Sequence, residues 1–150
     1  MVDTNLFLLH LIGCYDSRKL GKFRATQKYD ISVFELLEQL VALFSRIYTT
    51  TYVLTEVDNL SRQVEKTEWG LIGERLATIV DDLHEERSVS NVLFHHEAHP
   101  MVGITDCSII ELATRGVLVV TDDLQLTIQL ERRRLGVINL SHYVPRASRR

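Results

Sequence analysis

Residues 119–123 read VVTDD, Val119-Val120-Thr121-Asp122-Asp123, and the apolar run that leads into them begins at Val117. Val117 to Val120 shows no alternation with polar residues. That pattern is expected of a parallel strand with helices covering both faces. The strand then ends in two acids. In an open α/β sheet, ligands sit outside the carboxyl ends of the strands, so this pair stands where chemistry is expected.

On either side of this stretch, helical and strand-like spacings alternate. Val33, Phe34, Leu37, Val41 and Phe44 share one helical face, and Ser32 with Glu35 reads as a capping box at its start. Trp69, Ile72, Leu76, Ile79, Val80 and Leu83 form a second stripe. A third helix runs through Ile109, Ile110, Leu112 and Ala113, with Thr105 as its cap and Gly116 as its stop. Short runs rich in β-branched residues lie between, at Ile47 to Val53, Val117 to Val120 and Val137 to Leu140. A short strand near Arg87 to Val89 and a short helix from Ser90 are also expected. Leu124, Leu126, Ile128 and Leu130 alternate as a strand would. Parallel neighbours on both sides nevertheless require a crossover, so the segment is read as a helix with Gly136 as its stop. The whole predicts an α/β layered domain built on a parallel sheet.

The bulk properties are permissive. The 150 residues are 45% apolar and 25% charged, enough for one domain, 1–150, with a real core. A net charge of −3 points to no nucleic-acid partner, so any such binding needs a local patch. Cys14 and Cys107 make no disulfide framework and no metal spacing, which fits a reduced, cytoplasmic protein. No apolar run is long enough for a membrane span, and the acid at position 3 argues against a signal peptide.

Acids fall at four places along the expected strand ends. Asp3 follows Met1-Val2 and opens the apolar helix LFLLHLI; Glu56 follows the Ile47–Val53 run; Asp106 starts the third helix; Asp122 and Asp123 end the VVTDD strand. Any one of them is explained by the helix dipole, worth about 0.3–1 kcal/mol. Convergence changes the balance. At about 5 Å and an effective dielectric of 20, each carboxylate pair repels by roughly 3 kcal/mol. A fold needing only caps could use Ser or Asn instead. Crowded carboxylates with no basic partner nearby in sequence imply a divalent cation with oxygen ligands, Mg²⁺ or Mn²⁺.

Taken together, VDTN at 2–5, TEV at 55–57, GITDCSIIELA at 103–113 and VLVVTDDLQL at 117–126 resemble the PIN-domain family, the fold of VapC-type toxins and related ribonucleases. The resemblance spans most of the chain in the family's order. It implies a three-layer α/β/α sandwich with a central parallel sheet, and a metal-dependent endoribonuclease in which activated water cleaves RNA phosphodiesters. By position it implies Asp3, Glu56, Asp106 and Asp123 as catalytic and metal-holding acids, with Asp106 or Glu56 orienting or deprotonating the water. The family's last acid stands in a T-x-D pattern, here Thr121 and Asp123, with Asp122 as its neighbour or its substitute. Asn5 and Thr121 would support the site by hydrogen bonds. The partners implied are RNA, a second copy in a homodimer and, for a toxin, an antitoxin that blocks the acidic groove with a basic side chain. The length of the 16–30 segment favours a general PIN nuclease over the toxin subclass.

That segment carries Arg18, Lys19, Lys22, Arg24 and Lys28, interleaved with Phe23 and Tyr29. Beside the acids it would grip an RNA backbone and stack a base; otherwise it is a solvated loop. Arg132, Arg133 and Arg134 with the RASRR tail read as further phosphate contacts or as a helix end and a frayed terminus. His95 and His99 in FHHEAH are spaced for one helix face, but HExxH needs one more residue than His96-Glu97-Ala98-His99 provides. Two other acidic-edge chemistries fit less well. Phosphatases resembling haloacid dehalogenases need an acid at position 5, which is Asn, and receiver-like domains need a Lys near Asn139-Leu140-Ser141. The alternative from another class is a non-catalytic RNA- or protein-binding module on a PIN-like fold.

Overall fold

The computed structural model describes residues 1–143; the RASRR tail lies outside them. At its centre is α1 (Thr4–Asp16), where Leu6, Leu8, Leu9, Leu11 and Ile12 are all essentially inaccessible to solvent. A helix apolar on every side must be enclosed. Around α1 stand α2 (Ile31–Val41), α3 (Thr51–Ser61), α4 (Trp69–Asp81) and the strand β3 (Val119–Thr121). Gly13 lies close against the Phe34 ring of α2, which leaves no room for a Cβ there.

The strands are short and parallel. β1 (Tyr48–Thr50) pairs with β2 (His84–Glu86), and the chain crosses between them through α3 and α4. β3 pairs with β4 (Val137–Asn139), the crossover being α7 (Leu124–Arg132). Leu124 to Leu130 is therefore the helix that the crossover demanded, despite its strand-like period. On the other side of β3, Val2 forms a parallel bridge to Val120: the Val120 N–H donates to Met1 O at 2.9 Å and the Asp3 N–H to Val120 O at 3.0 Å. The architecture is α/β. Among the described residues the ladders are two-stranded rather than one continuous central sheet.

Several boundaries differ from the sequence expectation. The Ile47–Val53 run yields only Tyr48–Thr50 as strand, because the Thr50 hydroxyl accepts the Val53 N–H and starts α3. Asp30, not Ser32, caps α2, accepting from the N–H groups of Ser32 and Val33. The short strand expected near Arg87 lies three residues earlier, and α5 (Ser90–Phe94) begins as expected. The stop after α7 is Arg134, whose φ of 56° takes the left-handed turn assigned to Gly136. No helix among the described residues is long and apolar enough to cross a membrane.

The helix carrying Asp106, α6 (His99–Ala113), is broken at Gly103, with φ 82° and ψ 176°. This break, rather than a Thr105 cap, begins the turn that presents Asp106. Backbone in that region is essentially reserved for glycine. Gly103→Ala should therefore lower stability by about 1–3 kcal/mol, read as a reduced urea midpoint with an unchanged slope.

Candidate functional site: an acidic edge

Asp3 is 3% exposed and its two carboxylate oxygens have separate tasks. Oδ1 accepts the Leu6 N–H at 2.8 Å and so caps α1. Oδ2 accepts the hydroxyl proton of Thr121 at the end of β3. The same Thr121 oxygen accepts the Asp123 N–H at 2.9 Å. Asp123 in turn caps α7, accepting from Leu126 N at 2.8 Å. Glu56 is held from α1 by the Thr4 hydroxyl at 3.1 Å. Asp106 is half-buried on α6 within electrostatic reach of Asp3, Asp123 and Glu56. Residues 3, 56, 106 and 123 are thus gathered at one edge, and none of the four makes an ion pair among the described residues.

The proton affinities register this crowding. Burial raises the Asp3 carboxyl to about 7, with the charge of Asp122 adding to it. Burial likewise raises Asp106 to about 7, assisted by Asp3, Asp123 and Glu56. Asp122 is treated differently. Its Oδ2 accepts from Lys28 Nζ at 2.7 Å and from the Tyr29 hydroxyl at 2.9 Å, while its Oδ1 is buried without a hydrogen-bond partner. Lys28 therefore supplies a basic partner from the 16–30 segment that sequence proximity did not reveal. Asn5 is half-buried in the first turn of α1 and makes no side-chain hydrogen bond among the described residues.

The acids do not close into a ready metal cage. Among the described residues, the group of three His, Cys, Asp or Glu ligand atoms lying within 4.8 Å of one another is His10, Cys14 and Glu38. That group could hold a metal, and the sequence reading missed it. The available signal was His10 and Cys14 at a four-residue spacing on one helix; Glu38 comes from α2 and is visible only in the fold.

The basic segment behaves differently from the expectation. Phe23 and Tyr29 are each 6% exposed and belong to the core, so neither ring offers a face to a base. They anchor the segment, with the Thr26 hydroxyl donating to Leu20 O at 2.8 Å. Arg18 pairs with Asp16, Lys19 with Glu68 and Lys28 with Asp122; Lys22 and Arg24 are exposed without an ion pair among the described residues. Of the three arginines at the end of α7, Arg132, Arg133 and Arg134, Arg133 pairs with Glu97 at 2.5 Å. His95 and His99 do not share a helix, since α5 ends at Phe94 and α6 starts at His99. His95 Nδ1 meets Asn91 O, His96 Nδ1 accepts the Ala98 N–H, and His99 packs edge-on to Phe94.

No family model, curated protein or solved structure matches the chain. The resemblance to PIN domains accordingly rests on four short motifs.

A carboxyl raised from 3.8 to about 7 holds, in the folded state, a proton that the unfolded chain releases. Its contribution to stability falls as pH rises from about 4 to about 7. Asp106→Asn removes one such group. In EDTA, the variant should lose less stability than the wild type between about pH 5 and about pH 7.5, read by thermal melting. His10 and the amino terminus titrate in both proteins and drop out of the comparison.

Proposed function

We propose that the acidic edge is the active site of a PIN-type endoribonuclease that uses Mg²⁺ or Mn²⁺. The observation that carries this reading is the convergence of Asp3, Glu56 and Asp123 on Asp106 with no ion-paired Lys or Arg on any of the four among the described residues. Their donor set is all carboxylate oxygen, which suits a hard divalent ion. A fold would relieve such repulsion with amides if capping were the only need. When bound, the ion would neutralise the edge, activate water and stabilise charge on the scissile phosphate.

The chain's own residues divide the remaining work. Asp3 is fixed from both sides, by the α1 backbone and by Thr121, and serves as the rigid acid at the base of the site. Asp123 is fixed through the same threonine and its own capping bond. Glu56 is oriented by Thr4, and its carboxylate is half-exposed at the edge. Asp106 carries a proton affinity near neutrality, which suits a group that takes and returns a proton. The hydrogen bonds of Lys28 and Tyr29 commit Asp122 to a supporting role beside Asp3. Lys22 and Arg24 are exposed cations available to phosphates.

One observation favours a non-catalytic binding module instead: no three of these acids bring ligand atoms within 4.8 Å. Single-stranded RNAs of mixed sequence incubated with Mn²⁺, Mg²⁺ or EDTA separate the two. The nuclease reading expects cleavage with either metal, none in EDTA, and a drop of at least about 100-fold in Asp106→Asn. RNA bound but left intact with both metals would transfer the edge to the binding reading.

A further inference from the structure

Away from the acidic edge, α1 carries a second set of donors. His10 and Cys14 lie one turn apart on the same face, and Glu38 reaches them from α2. His10 Nδ1 is 2.5 Å from Glu38 Oε1 and 3.7 Å from Cys14 Sγ; Cys14 Sγ is 4.0 Å from Glu38 Oε2. At 1.5 Å per residue, His10 is roughly 10 Å along the helix from Asp3. The three side chains line a cavity of about 360 Å³, with Arg75, Thr78 and Asp82 also in its wall. The His10 and Glu38 side chains are 23% and 36% exposed, so an ion has a route in.

We propose that His10, Cys14 and Glu38 form a binding site for a thiophilic divalent cation of the Zn²⁺ class, with its fourth coordination position open to the cavity. The separations support this. Zn–S and Zn–N bonds of ordinary length at a tetrahedral angle put sulfur and nitrogen roughly 3.5 Å apart, close to the 3.7 Å between Cys14 and His10. The nitrogen–oxygen edge would be about 3.4 Å, so the His10–Glu38 hydrogen bond must open by roughly 1 Å as the ion replaces its proton. Mixed sulfur, imidazole and carboxylate donors select Zn²⁺-like ions over Mg²⁺ or Mn²⁺. Three protein ligands leave the site open, as in exchangeable or reactive centres rather than closed structural ones. The ion must displace a proton here: the Cys14 thiol is held below its usual range, chiefly by its hydrogen bond with His10, whereas the imidazole, against the pull of burial, is raised to about 9 by its hydrogen bonds to Cys14 and Glu38.

This site is independent of the acidic edge, and its test reads sulfur directly. The full chain, stripped with EDTA and titrated with Co²⁺, should show a thiolate-to-cobalt charge-transfer band that saturates at one equivalent and is displaced by Zn²⁺. The band should persist in Cys107→Ala and in Asp106→Asn and vanish in Cys14→Ser. His10→Gln and Glu38→Gln should weaken Zn²⁺ binding by at least about 10-fold, with circular dichroism confirming that each variant is folded. Absence of the band, or its survival in Cys14→Ser, overturns the proposal. So does rapid alkylation of Cys14 that added Zn²⁺ leaves unslowed.

Discussion

The structure hangs on the two-sided engagement of Asp3. One carboxylate oxygen starts the central helix and the other takes the hydroxyl proton of Thr121 at the end of β3. Through that threonine the tie extends to the backbone of Asp123 and the start of α7. A buried carboxylate of this kind is tolerated because each oxygen has a donor, and leaving either unmatched would forfeit about 1–3 kcal/mol. The position of α1, the register of β3 and the entry to the last crossover are therefore fixed by one side chain. That side chain is also an acid of the candidate site.

Fold and site consequently pull in opposite directions. The capping bonds place Asp3 and Asp123 usefully for their helices and at the same time bring their charges toward Asp106. Lys28 relieves Asp122 alone. The remaining repulsion is an excess of negative charge that the described residues do not balance, and it is the feature that distinguishes this edge from a set of ordinary helix starts.

Much of this was legible in the sequence, because it depends on local rules. The unbroken apolar run before Asp122 gave the parallel strand, and the need for a crossover correctly outweighed the alternation at Leu124 to Leu130. The rule that strand ends carry ligands brought four distant acids to one edge. Boundaries failed where two residues competed for one task. Thr50 serves equally as strand and as cap, Asp30 stands two residues before Ser32, and Arg134 adopted a turn that glycine usually takes. Contacts between distant segments were not legible at all. Nothing local announces that Lys28 meets Asp122, that Phe23 and Tyr29 turn inward, or that Glu38 arrives beside His10 and Cys14.

The enclosure of α1 also determines where this sequence is free to drift. Eight of its thirteen residues are buried. Of the five that are partly exposed, His10 and Cys14 contact each other and Glu38, Tyr15 donates to Glu68, and Asp16 holds Arg18. Asn5 alone makes no such side-chain hydrogen bond or ion pair among the described residues. Neutral substitution is therefore squeezed out of the centre and onto outward positions such as Leu71, Val92 and Met101, all of which are more than half exposed. In divergent copies of this fold, the innermost helix would change last and the outer helices would become unrecognisable first.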